Sequence, residues 1–239
     1  MSSVAGQWRS RAAGSPPLQG LWLSFLTPFA LELADVAGVD WLGVDLQHGD
    51  LEVRDLAGLL RATALPVLAR VGSHDPAHLG RVLDVGVDGL IVPMVESGAQ
   101  AAAVVAACQA PPRGARSFGL SRSSGMPPAD PLLLMMIETA TGLRERAAIA
   151  STDGVDGLFV GPYDLSLSTG AAGVDSEQTI ENTRLVVDTA AAAGLRSGVF
   201  VGRPELLAHY PQVDFLGVAS DVGCLSAGIA AAFARQADR

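Results

Sequence analysis

Short apolar runs alternate along the chain with longer stretches whose apolar residues recur every third or fourth position. The first kind reads as buried strands and the second as amphipathic helices. Strands are predicted at Leu21–Leu26, Trp41–Leu46, Pro66–Val71, Gly89–Val95, Leu132–Ile137, Gly157–Val160, Arg196–Val201 and Phe215–Ala219. Helices are predicted at Pro28–Ala37, Leu51–Ala64, from Asp75 onward, and at Gly98–Ala110, Gly142–Ala150, Ser176–Ala193, Pro204–His209 and Leu225–Gln236. Asp75-Pro76 and Ser176 carry the chemistry of helix starts. Strict alternation implies a parallel sheet, and eight such units in 239 residues match the scale of a single-domain (β/α)8 TIM barrel. A doubly wound open sheet is the runner-up, but it wants a G-x-G-x-x-G turn after the first strand, and none is there. The stretches 111–131 and 166–175 lack periodicity and read as long loops of the functional kind. Residues 20–239 form the barrel in this reading. Residues 1–19 lack the apolar core of a secretory signal and read as a flexible leader.

Catalytic groups of a barrel sit at the C-terminal ends of its strands. The second predicted strand ends in Asp45, with His48 just beyond; the third ends at Arg70; the fifth leads to Glu138; the sixth leads through Gly161-Pro162-Tyr163 to Asp164. Each residue alone has an ordinary structural role, such as capping a turn or lying on the surface. Five polar groups on one rim favour a site. Glu138 and Asp164 form the natural metal pair, because two hard oxygen donors without cysteine or clustered histidine select Mg2+ or Mn2+ over zinc.

Composition narrows the chemistry. Net charge is −9, which argues against nucleic acid or an anionic membrane as partner, and no apolar run reaches a bilayer span. Two cysteines, Cys108 and Cys224, stand far apart, which suits a reducing cytoplasm and excludes a disulfide framework. All sixteen basic residues are arginine. Without a lysine amine the chain cannot form an imine with a carbonyl substrate, nor supply the lysine of a phosphate-binding P-loop.

The stretches GLWLSFLTPFALELADVAGVDWLGVDLQHGD, LPVLARVGSHDP, LDVGVDGLIVPMV, PPRGARSFG and MIETATGLRERAAIASTDGVDGLFVGPYDLS resemble the metal-dependent 2-oxoacid aldolases of the HpcH/HpaI aldolase/citrate lyase family. The resemblance runs over roughly residues 20–220 and implies a (β/α)8 barrel. It implies that Glu138 and Asp164 hold a divalent metal, Mg2+ or Mn2+ with Co2+ as a further candidate, chelated by the carboxylate and keto oxygens of pyruvate or its enolate. Arg70 would stabilise the enolate oxygen, and His48 beside Asp45 would belong to the acid/base apparatus. Asp84 would reach the histidine of a neighbouring subunit. The backbone of Gly161, Pro162, Tyr163 and Asp164 would hold the substrate carboxylate. The partners implied are a 2-oxoacid and an aldehyde. Family members exchange C-terminal helices into dimers and trimers of dimers, so a homo-oligomer, a hexamer, is expected. Here the last predicted helix has Leu225, Ile229, Ala232 and Phe233 near helical spacing, an apolar face that needs burial; closing the outer ring of a monomer is the alternative. The chain departs from the best-known members at Gln47, where they have Glu, at Met136, where they have Gln, and in a shorter segment between Phe118 and Leu132. Metal-dependent cleavage of a 4-hydroxy-2-oxoacid to pyruvate and an aldehyde is the leading expectation. A CoA-thioester lyase of the citramalyl or malyl type is the second, though the acidic balance weighs against a CoA surface, and a non-catalytic metal-binding barrel is the third.

Overall fold

The computed structural model describes residues 4–12, 14–31, 34, 38–117 and 130–234. Eight parallel strands run in sequence order around a closed barrel: β1 (Leu18–Leu23), β2 (Trp41–Asp45), β3 (Val67–Arg70), β4 (Gly89–Val92), β5 (Leu132–Ile137), β6 (Gly157–Val160), β7 (Arg196–Phe200) and β8 (Phe215–Ser220). β8 pairs with β1 and completes the circle. Among the described residues no helix is long and apolar enough to cross a membrane.

The period of two along each strand divides the apolar residues between two cores. Leu42, Val44, Val67, Ala69, Leu133, Met135, Ile137, Leu158 and Val160 point outward and are buried under the helices. Trp22, Trp41, Leu68, Ile91, Leu134, Met136, Phe159 and Phe215 point inward and fill the barrel. Large rings fit only because small residues face them: a Cβ at Gly20 would collide with the indole of Trp41, and one at Gly198 with the ring of Phe159. Trp41 meets Phe159 and Phe215 edge-on, with centroids 6.4 and 6.1 Å apart. The predicted caps form. The Asp75 carboxylate accepts from the N–H groups of Ala77 and His78 at 2.9 and 3.0 Å, and the Ser176 hydroxyl accepts from Thr179 N–H.

The structure differs from the sequence reading in four places. Within residues 1–19, Val4–Arg9 is a helix docked against the barrel, so these residues are not a flexible leader. Trp8 is buried with its ring centroid 4.8 Å from that of Phe215. Arg9 pairs with Asp130 at 2.7 Å and Asp156 at 2.5 Å, and Arg196 donates to the carbonyls of Arg9 and Arg11. A six-residue helix carries too little periodicity to be seen in sequence. Second, β1 lies three residues earlier than predicted. The Asp221 carboxylate accepts from the N–H groups of Ser24, Phe25 and Leu26, at 2.9 Å for the latter two, and so draws the chain out of the ladder after Leu23. Third, Pro162–Thr169 is a helix, with Pro162 in the first turn and Gly170 closing it in the left-handed conformation, where the sequence reading began a loop at Ser166. Fourth, the predicted Pro28–Ala37 helix begins as a 3-10 turn, Pro28–Ala30, and Ala34 is helical. Residues 32, 33 and 35–37 of that helix, 235 and 236 of the last one, and 118–129 of the shortened segment lie outside the described residues.

The last helix, Asp221–Phe233, does not close the outer ring. Val222, Leu225, Ile229 and Phe233 are 48, 51, 51 and 80% exposed. Among the described residues a groove of about 500 Å3 lies beside its base over β1 and β8, walled by Leu21, Leu26, Val39, Val218 and Ala219.

The docked N-terminal helix gives a direct test. Trp8→Ala is expected to cost about 3 kcal/mol of stability, as for other large buried aromatics, measured by urea unfolding. A flexible leader would leave the midpoint unmoved.

Candidate active site

The inner face that carries Trp41 and Gly43 on β2 next presents Asp45 at the C-terminal rim. On β3 the parity of Leu68 presents Arg70, and the register sets Asp45 directly opposite Arg70. The two form a bidentate pair: Nε of Arg70 donates to Oδ1 of Asp45 at 2.9 Å, and a terminal nitrogen donates to Oδ2 at 2.5 Å. Oδ1 also accepts from the backbone N–H groups of Gln47 and His48, at 3.0 and 3.1 Å. The Trp22 indole N–H donates to Oδ2 at 3.3 Å, and the Arg70 guanidinium carbon lies 5.3 Å from the centre of the Trp22 ring. Burial acts to raise the Asp45 carboxyl, but the hydrogen bonds and charge of Arg70, with those two N–H groups, outweigh it and hold the carboxyl below its ordinary value. Asp45 thus stays ionised and fixes both Arg70 and the backbone of His48; it is a positioning residue.

The parity of Leu132, Leu134 and Met136 places Glu138 inward just beyond β5. Glu138 is 2% exposed. Its Oε1 accepts from the Met94 N–H at 2.8 Å, while its Oε2 is buried without a hydrogen-bond partner among the described residues. Met94 has a φ of 54°, a left-handed conformation that costs a side-chain-bearing residue roughly 1–2 kcal/mol and is held beside this carboxylate. Gly161, at the end of β6, gives Oε2 its space: a Cβ there would come within 2.7 Å of Oε2 and 2.8 Å of the Met136 methyl. Burial, the largest effect, pushes the Glu138 carboxyl up to about 7; the Met94 N–H and the positive charge of Arg70 oppose the rise, while the charges of Asp164 and Asp45 add to it. Asp164 follows in the first turn of the helix Pro162–Thr169.

Asp45, His48, Arg70, Glu138, Gly161, Pro162, Tyr163 and Asp164 line one cavity of about 410 Å3 at the C-terminal mouth of the barrel. Asp84 is not among them. It lies near the end of the helix Pro76–Val85, where its carboxylate accepts from Arg116 at 2.9 Å, so within one chain it is no part of the site. The sequence reading missed Trp22, Ser24, Phe200, Arg203 and Ser220, which line the same cavity. Correct placement of β1 would have found Trp22, two residues beyond inward Gly20. Met136 lines the cavity as well, whereas Gln47 reaches Asp45 through its backbone.

The donor set suits a hard divalent cation. The unpaired Oε2 of Glu138 lacks a positive partner, Asp164 faces the same cavity, and the missing Cβ of Gly161 leaves room beside them. Among the described residues no group of three or more His, Cys, Asp or Glu side chains is arranged for a metal, so two carboxylates would hold the ion and small-molecule oxygens would complete its shell.

The profile of the HpcH/HpaI aldolase/citrate lyase family matches residues 18–212. A hydroxypyruvate/pyruvate aldolase from Delftia acidovorans is 34% identical over 243 residues, covering 94% of this chain and 90% of that protein. A 2-dehydro-3,6-dideoxy-6-sulfogluconate aldolase from Pseudomonas putida is 36% identical, covering 88% and 89%. The crystal structure of an HpcH/HpaI aldolase/citrate lyase family protein from Burkholderia cenocepacia superposes with a TM-score of 0.86 at 28% identity, covering 97% of each chain.

A carboxyl raised from 4.5 to about 7 is protonated in the folded chain while already ionised in the unfolded one. Its contribution to stability is therefore full below about pH 4.5 and is lost as pH rises to about 7. In metal-free protein, Glu138→Gln should remove that loss. The difference in unfolding midpoint between wild type and variant should grow in the variant's favour across this window. A constant difference from pH 4.5 to 7.5 would contradict the assignment.

Proposed function

Because the chain belongs to the HpcH/HpaI aldolase/citrate lyase family, we propose that it is a divalent-metal-dependent aldolase. It cleaves a 4-hydroxy-2-oxoacid to pyruvate and an aldehyde, or joins the two in reverse. The observation that carries this reading is the buried Glu138 carboxylate, with one oxygen unpaired, opening on the same cavity as Asp164 and Arg70. Glu138 and Asp164 would hold a Mg2+ or Mn2+ ion, which would supply Lewis acidity at the 2-oxo group. The chain has no lysine to do this by imine formation.

The residues divide the remaining work. Arg70 spends Nε and one terminal nitrogen on Asp45. Its cavity side meets the 2-oxo oxygen as negative charge develops there, with no reorientation at the moment of reaction. The start of the helix Pro162–Thr169 supports the substrate carboxylate: the N–H groups of Tyr163 and Asp164 are the first a helix leaves without intrahelical partners. His48 is exposed at the rim, with its backbone tied to Asp45, and takes the C4 hydroxyl proton. The C3–C4 bond then breaks, its electron pair flows toward the 2-oxo group, and the aldehyde leaves. Return of a proton to C3 gives pyruvate. Arg203 is the one arginine besides Arg70 among the described residues lining this cavity, too little positive charge for the phosphates of CoA, so the thioester-lyase reading is not carried forward.

Assembly belongs to the same reading. The apolar side of the helix Asp221–Phe233 is bare, and the groove over β1 and β8 is uncovered. A second copy's helix in that groove buries both, giving a dimer by exchange and, by repetition of further contacts, a hexamer. Asp84 on the outer surface is then available to the His48 of a neighbouring subunit, where a carboxylate orients the base.

Glu138→Ala and Asp164→Ala should each abolish metal-dependent release of pyruvate while the fold persists; full activity in either at saturating metal would sink the site. Arg70→Ala should lower kcat by about 10²–10³-fold, as loss of one charge-stabilising donor does, and change KM far less. A rise in KM alone would make Arg70 a carboxylate clamp. Light scattering should find an oligomer, and Phe233→Asp should dissociate it with loss of activity. A fully active monomer would contradict the exchange.

A further inference from the structure

The catalytic groups come from the β2, β3, β5 and β6 side of the cavity. Trp22 from β1 leans on Asp45 and Arg70, and the rest of the lining includes Phe200 at the end of β7, Val201 just past it, and Ser220 from β8. Past Phe200 the chain turns at Gly202, whose φ of 62° is left-handed, and delivers Arg203 to the same cavity. Arg203 pairs with Asp175 at 3.5 Å, and the two side chains are 54 and 64% exposed. Asp175 follows Val174, another lining residue, so the pair spans the mouth between the segments after β6 and β7. Such an exposed, long ion pair is weak and readily exchanged. Arg70, by contrast, is locked onto Asp45.

This geometry fits a substrate with two charged ends. The 2-oxoacid end is held deep, at Glu138, Asp164 and Arg70. The aldehyde fragment must extend away from it along the Phe200 and Val201 wall toward Arg203. A neutral fragment would leave the guanidinium on Asp175. A terminal carboxylate, phosphate or sulfonate would match its planar fork with two parallel hydrogen bonds and displace Asp175. We infer that Arg203 is a specificity-determining residue and that the substrates are 4-hydroxy-2-oxoacids whose aldehyde fragment ends in an oxyanion. This inference rests on the aldolase reading above.

The test uses the intact, metal-loaded protein in the aldol direction, adding pyruvate to succinic semialdehyde and to butanal, which have equal chain length and differ in the terminal charge. Wild type should favour succinic semialdehyde in kcat/KM. Arg203→Gln should reduce that preference about tenfold, the scale of one charge-assisted hydrogen bond, through KM for the anionic aldehyde and not kcat. Arg203→Lys should restore part of it, and Asp175→Asn should lower KM for the anionic aldehyde by removing its competitor. An unchanged preference in Arg203→Gln, or an equal loss on both aldehydes, would overturn the inference and leave the aldolase reading standing. Failure of wild type on both aldehydes, and on pyruvate release from 4-hydroxy-2-oxoacids, would overturn the two together.

Discussion

A carboxyl inside a barrel ionises only with a cation beside it, and Glu138 has none on Oε2 among the described residues. Removing a charge from water without a partner is among the costliest events in folding, which is why the group is pushed up to about 7. The surroundings are arranged around that cost. Met94 adopts a left-handed backbone while giving its N–H to Oε1, and Gly161 forgoes a side chain to leave Oε2 its space. A structure that needed only stability would place an apolar residue here. A cation shared with Asp164 would turn that cost into binding affinity.

Arg70 follows the opposite logic. It is buried, yet saturated on one side by a bidentate carboxylate and covered by an indole. The guanidinium therefore stands fixed in the cavity that Glu138 and Asp164 also line, its hydrogen bonds spent on Asp45. The two arrangements occupy neighbouring strand ends because the strands repeat with period two. The parity that buries Trp41, Leu68 and Leu134 inside the barrel also aims Asp45, Arg70 and Glu138 at its mouth. Core and site are one pattern read at different heights.

That pattern explains what the sequence made legible. β5 and β6 lie where the apolar runs Leu132–Ile137 and Gly157–Val160 place them, and Glu138 and Asp164, just beyond their ends, line one cavity. What stayed hidden depended on partners distant in the chain. The end of β1 is set by Asp221, almost two hundred residues away, so Trp22 was read at the start of a strand and its place in the cavity was lost. The helix Val4–Arg9 is held by Trp8 against Phe215 and by Arg9 against Asp130 and Asp156, contacts that no local periodicity announces. Arg203 follows a strand in the sequence but reaches the cavity only through the turn at Gly202. Asp84 shows the converse: a motif residue whose position within one chain is remote from the cavity, because its proposed partner lies on another subunit.

Glu138 and Asp164 would hold a divalent ion whose Lewis acidity would let the chain remove a proton from C3 of pyruvate without an imine. Exchange of the pyruvate methyl protons in D2O, followed by NMR, tests that half-reaction with no aldehyde present. The account predicts exchange that requires Mg2+ or Mn2+, stops on addition of EDTA, resumes when the metal is restored, and is absent in Glu138→Gln. Exchange that persisted in EDTA, or survived undiminished in Glu138→Gln, would contradict it.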